Sequence, residues 1–141
     1  MTSRREARRT AIDILYQADI TASDPAEVLR SWSEAGRDVA PFARELVGGV
    51  EEHLPEIDLL LEAHTEGWTV QRMASLDRTI LRVAVFELLH RPDVPVSVAI
   101  SEAVQTASDL SATEATRFVN GILGRIAVEV HRGRSEDPGS S

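Results

Sequence analysis

The sequence predicts an all-α fold, a compact bundle of about seven helices, and three observations lead there. Apolar residues recur at three- and four-residue intervals along most of the chain. Helix-opening signals, either a Ser-x-x-Glu capping box or a proline, precede most of these periodic stretches. No stretch alternates apolar and polar residues as a half-buried strand does, and no hairpin turn or internal repeat is present. With 141 residues, 43% hydrophobic and 27% charged, the chain is one ordinary domain. A domain of that length buries about two-thirds of its unfolded surface.

Each helix has its own local justification. Ser3-x-x-Glu6 forms a capping box, and Ala7, Ala11, Ile14, Leu15 and Ala18 then recur at helical spacing to about Ile20. Asp24 and Pro25 supply a cap and an N1 proline for a short second helix to about Glu34, which Gly36 interrupts. Pro41 opens a third helix with Phe42, Leu46, Val47 and Val50 on one side. Within it, Gly48-Gly49 predicts close helix packing. Pro55 opens a fourth through Ile57, Leu60, Leu61 and His64, ended by Gly67. Ser75 to His90 is apolar on nearly every face, the pattern of a helix at the centre of a bundle, and Arg91-Pro92 stops it. Pro95 leads into a sixth helix through Val98, Ile100, Ala103, Val104 and Ala107. Ser111-x-x-Glu114 reads as a second capping box, opening a seventh through Phe118, Ile122, Leu123, Ile126 and Val130. The closing stretch RGRSEDPGSS reads as frayed, with residues 135–141 a disordered tail. Trp32 and Trp68 read as core anchors, with a rim position as the alternative.

Several function classes fall away. No run approaches the length of apolar sequence that spans a membrane. No apolar signal segment opens the chain, and Glu6, Asp13 and Asp19 argue against an acid-poor mitochondrial presequence. The absence of cysteine excludes disulfides, thiolate metal sites and cysteine nucleophiles, and fits a cytoplasmic protein. Glu87-x-x-His90 is half of a di-iron pattern that needs a second such pair, and the remaining histidines are scattered, so no metal site or cofactor is expected. Phosphate-binding loops and nucleophile elbows are missing, so no motif supports an enzyme.

Charge is the distinctive feature. All 15 basic residues are arginine, as codon usage in a GC-rich genome would produce, and the formal net charge is −8. Arg4, Arg5, Arg8 and Arg9 against Glu6 give residues 1–9 a net of +3, which leaves the rest of the chain at −11. Cations at a helix N-terminus oppose the macrodipole by about 0.3–1 kcal/mol each, so stability does not explain them. An anionic partner would reverse the sign by using the arginines and the free N–H groups together. Arg4 and Arg8 point with Leu15, and Arg5 and Arg9 lie on a neighbouring stripe with Tyr16. The apolar stripe thus turns basic, and the expectation is a helix end that projects past the core with its guanidinium groups unneutralised. The alternative is a solvated tip, or pairing with acidic loops. Arg117, Arg125 and Arg132 form a second basic strip beside Phe118. Arginine with an aromatic ring is the chemistry of single-stranded RNA binding, although Phe118 taken singly reads more readily as core than as a stacking platform.

Four collinear blocks, RRxARRxAxxxLYQ, LDRTILRVAVFEL, RPDVPVSVAISEAV and RFVNGILGRIA, resemble the NusB family of transcription antitermination factors over about residues 4–130. The Phe118 to Gly121 segment is the sharpest piece. The resemblance implies one NusB-like RNA-binding domain over residues 1–134, in two small sub-bundles of about 1–74 and 75–134. It implies binding of boxA RNA, a short single-stranded element of nascent ribosomal RNA transcripts, together with the ribosomal protein NusE. The pair would join RNA polymerase with other Nus factors and suppress termination. RNA-contacting positions would be Arg4, Arg5, Arg8 and Tyr16 on the first helix and Glu114, Arg117 and Phe118 on the last, and Asp77 would face NusE. Glu114 replaces an expected aspartate, and Leu110 stands where some members carry an aromatic ring. A related module precedes the catalytic domain of some RNA cytosine methyltransferases. That reading predicts a following cofactor domain and a catalytic cysteine, and this sequence has neither. A purely protein-binding helical adaptor is the third reading. Members of the family include monomers and dimers, so a homodimer is one expected state.

Overall fold

A computed structural model describes residues 3–65 and 69–135 of the chain. Seven α-helices run in the order α1 (Arg4–Thr21), α2 (Pro25–Glu34), α3 (Pro41–Glu52), α4 (Leu54–Ala63), α5 (Ser75–His90), α6 (Val96–Leu110) and α7 (Thr113–Ser135). A single 3-10 turn, Val70–Arg72, precedes α5. No strand occurs among the described residues. Gly67, Trp68 and residues 136–141 lie outside them, so the readings of Gly67 as a helix end, of Trp68 and of most of the tail do too. The helix α7 extends through Ser135, into the stretch that reads as frayed.

The opening signals account for most boundaries. Ser3 Oγ accepts from the Glu6 N–H at 3.1 Å, the hydroxyl half of the predicted box. Asp24 accepts from the Ala26 N–H at 3.0 Å, and Pro25, Pro41 and Pro55 each occupy the first turn of a helix. The second box does not form as expected. The helix α7 opens at Thr113, so Ser111 lies one residue ahead of the cap position, and its Oγ donates to Asp77 Oδ1 on α5 at 2.5 Å.

The helix α5 is the axis of the molecule, packed against α1, α3, α4, α6 and α7. Ile80, Leu81, Val83, Val85 and Leu88 are buried all around it, as its pattern predicts. One apolar core continues from Ile14 and Leu46 on the α1–α3 side to Ile122, Leu123 and Ile126 on α7. Gly49 lets α3 approach α5, since a Cβ there would stand 2.2 Å from the Phe86 ring. Gly48 faces open space, so only one residue of the pair serves the packing. Trp32 is buried, and its Nε1 donates to Gln17 Oε1 at 3.2 Å.

Candidate nucleic-acid interface

The expectation of unneutralised guanidinium groups is overturned. All four arginines of the first two turns of α1 meet carboxylates of the same chain. Arg4 Nη2 donates to Asp93 Oδ2 at 2.9 Å, Arg5 donates to Glu102 through Nε and Nη2, and Arg9 Nη2 donates to Asp109 Oδ2 at 2.6 Å. Asp93 lies just before α6, while Glu102 and Asp109 stand seven residues apart along it and therefore share a face. The basic stripe of α1 thus lies on an acidic stripe of α6.

Arg8 differs from the other three. Its Nε and Nη2 form a fork with Glu87 Oε1 and Oε2 at 2.8 and 2.9 Å, with side chains only 8% and 1% exposed. Arg8 therefore belongs to the core, as its position on the apolar stripe with Leu15 requires. The flaw in the sequence expectation was the absence of a partner, and α5 supplies one from inside an apolar run.

Arg5 holds the Glu102 carboxyl below the usual carboxylate range, and hydrogen bonds from Arg9 and Gln105 do the same to Asp109. Arg91 and Arg4 hold Asp93 far lower still. Around Phe42 the guanidinium carbons of Arg4, Arg8 and Arg91 lie 4.5, 5.4 and 5.1 Å from the ring centroid, a cation–π grouping that periodicity did not reveal. Arg91 also pairs with Glu45 and with Asp93.

Of the other predicted residues, Asp77, Glu114, Arg117 and Phe118 fall near the far end of α6 and Tyr16 stays on α1. Asp77, Glu114 and Phe118 line one hollow of about 320 Å³ with Arg72, Met73 and Ala112. Phe118 is half-buried, rests on the core and lines this hollow, while Glu114 and Arg117 are exposed. The last residues of α6 join the two regions, because Arg9 holds Asp109 and Ser111, two residues on, holds Asp77. Tyr16 is half-buried, two turns beyond Arg9 on α1. Leu110, between the two regions, is 51% exposed. Arg125 lies apart, donating to the His64 carbonyl at the end of α4, and the Arg132 side chain is outside the described residues. The acidic partners Asp93, Glu102 and Asp109 were missed, although the seven-residue spacing of the last two was a visible signal.

No ligand-sized enclosed cleft with converging catalytic groups accompanies these features among the described residues; the surface is an open strip of paired charges ending at a shallow aromatic hollow. A model of the NusB family matches residues 5–128. The transcription antitermination protein NusB of Myxococcus xanthus (strain DK1622) is 42% identical over 139 residues, covering 94% of this chain and 99% of its own length. Among solved structures, T. maritima NusB superposes with a TM-score of 0.82 at 34% identity, covering 91% of this chain and 92% of its own. A structure of antitermination factors NusB and NusE in complex with dsRNA superposes with a TM-score of 0.79 at 27% identity, covering 89% and 96%.

Proposed function

The chain belongs to the NusB family of transcription antitermination proteins, and from that premise we propose that it binds single-stranded boxA RNA in nascent ribosomal RNA transcripts together with NusE. In this reading it is a cytoplasmic, non-enzymatic factor that helps other Nus factors assemble an antitermination complex on RNA polymerase. The observation that carries the reading is the row of exposed guanidinium–carboxylate contacts between α1 and α6. A phosphate oxygen accepts from a guanidinium fork as a carboxylate does, so each contact is exchangeable in kind. The side chains of Arg4, Arg5 and Arg9 are 48%, 64% and 31% exposed, so exchange requires no unfolding.

Arg8 enters as a positioning residue that locks α1 to α5 and so fixes where its neighbours point. Arg117 adds a cation beside the hollow, and Tyr16 and Phe118 are the rings available to stack on unpaired bases. Leu110 offers no ring, so stacking falls on those two. Asp77, with Glu114 nearby, offers an acidic contact to a basic ribosomal partner. Relatives 42% and 45% identical are themselves named transcription antitermination protein NusB, which favours this reading over an accessory methyltransferase module.

Fluorescence anisotropy with boxA RNA and a scrambled control, each with and without NusE, tests the proposal. Preference for boxA is expected, with log affinity falling against log salt at a slope of roughly −3 to −4 if about five phosphates are contacted. Arg5→Ala with Arg9→Ala should weaken binding and flatten that slope by roughly 1–2. Glu102→Gln should strengthen binding, because it removes the carboxylate that phosphate must displace. Asp77→Arg should weaken NusE association and leave the helical content unchanged. Equal binding to the scrambled RNA, or indifference to the Arg5/Arg9 pair, would reject the RNA site; NusE binding without RNA binding would leave the adaptor reading in its place.

A further inference from the structure

Near the C-terminal end of α5, about one turn beyond Glu87 of the Arg8 pair, three metal-ligating side chains meet that no sequence pattern brings together. His53 is the single residue between α3 and α4, Glu56 lies in the first turn of α4, and His90 is the last residue of α5. The imidazole rings of His53 and His90 are stacked, with centroids 3.8 Å apart. His90 Nε2 lies 2.7 Å from Glu56 Oε1. One ligand atom from each of the three residues lies within 4.8 Å of the others. Phe86 backs the pair, with its centroid 6.1 Å from His53 and 5.6 Å from His90.

We propose that His53, Glu56 and His90 bind one divalent transition-metal ion of the zinc class. Two imidazole nitrogens and one carboxylate oxygen are a borderline donor set that suits zinc and its neighbours, and three protein ligands leave an open position for water. Hydrogen bonding within the chain does not account for the arrangement. Glu56 satisfies one nitrogen of His90, whereas His53 has only Glu52, at 3.9 Å, too far for a hydrogen bond. A single cation would be shared by the Glu56 carboxylate and one nitrogen of each ring.

The backbone around the cluster favours a cation as well. The C-terminal ends of α3 and α5 both arrive there, against the N-terminal end of α4 alone, so the partial charges of the helix ends sum to negative. The three side chains are accessible, at 31% for each histidine and 53% for Glu56, so an ion has a route in. Binding would tie the α3–α4 corner to the end of α5. Glu87, the residue that pairs with His90 in the sequence pattern, takes no part, since Arg8 holds both its oxygens.

Titration of the untagged, chelator-stripped full chain with cobalt(II), followed by zinc competition, tests the site. One equivalent of cobalt should develop visible ligand-field absorption that zinc abolishes, and zinc should raise the midpoint of thermal unfolding. His53→Ala and His90→Ala should each weaken the metal about tenfold or more, since even outer-shell partners cost that much. Glu56→Gln, at the most exposed position, provides the same reading if either histidine variant loses helical content. His64→Ala should change nothing, because His64 pairs with Glu129 elsewhere. Absence of a one-equivalent cobalt complex, or one that survives all three ligand substitutions, would overturn the proposal.

Discussion

Arg8 and Glu87 bury opposite charges where α1 meets α5, and the consequences for substitution are asymmetric. Replacing Arg8 by alanine strands a carboxylate that is 1% exposed, with no water to solvate it. Breaking a buried pair in this way costs about 3–5 kcal/mol, whereas replacing both partners by apolar residues of similar volume is often close to neutral. Arg8→Ala should therefore lower the urea midpoint severely, and Arg8→Met with Glu87→Leu should recover most of it. If Arg8→Ala alone proves neutral, the pair is not buried in solution. The same physics governs mutagenesis of the proposed RNA face. A variant that combines Arg8→Ala with changes at Arg4 and Arg5 would lose RNA binding through the fold, so only Arg4, Arg5 and Arg9 report on phosphate contact.

At the level of elements, the contact of α3 with α5 hangs on one hydrogen atom. Gly49 has no room for a Cβ against Phe86, whose ring is 6% exposed and hemmed in by the core. Gly49→Ala should destabilise by about 1–3 kcal/mol through overpacking. Gly48→Ala, facing open space in the same helix, should stabilise by about 0.5–1 kcal/mol through reduced backbone entropy. Opposite shifts in thermal midpoint for adjacent residues would be a sharp reading; shifts of one sign would show that the helices can slide apart. Periodicity made the glycine pair visible but not which member faces inward, because one residue of rotation decides it. Helix existence was legible for a related reason. Ser3, Asp24-Pro25, Pro41 and the all-round apolar face of α5 act within a turn or two of themselves. The 3-10 turn at Val70–Arg72 has no such local marker, and the bond from Ser111 to Asp77 depends on packing across 34 residues. The candidate site divides the same way. Arg4, Arg5 and Phe118 stood out by residue type and Glu114 through the family resemblance, whereas Glu102 and Asp109, the partners of Arg5 and Arg9, are set by which face of α6 turns toward α1. Glu87 was the readable clue, a lone acid in the run from Val83 to Leu89.

For the whole molecule, the pairing of a basic stripe with an acidic body makes stability depend on pH in a definite direction. Asp93, Glu102 and Asp109 titrate below their ordinary values because arginines hydrogen-bond their ionised forms. At Asp19 burial works the other way, but hydrogen bonds from Ser75 and Arg78 prevail and its value is also lowered. A carboxylate lowered by folding contributes stability that is fully present above its unfolded value, about 4, and is lost as pH falls through the folded value. Between pH 7 and pH 5 these groups are ionised in both states and the thermal midpoint should be nearly flat on their account. Below about pH 4 it should fall, and the α1–α6 seam, which holds three of the four, should loosen first. Glu51 runs against this trend: burial, with the nearby Asp24 carboxyl, raises its value, so its contribution is present at low pH and declines as pH rises. Glu51→Gln should accordingly raise the midpoint at pH 7 more than at pH 3. Amide exchange of α1 and α6, followed from pH 5 to pH 2.5, measures the order of loosening. Exchange that rises uniformly over all seven helices would mean that the seam has no separate stability, and the charge strip would then be inseparable from the core that carries it.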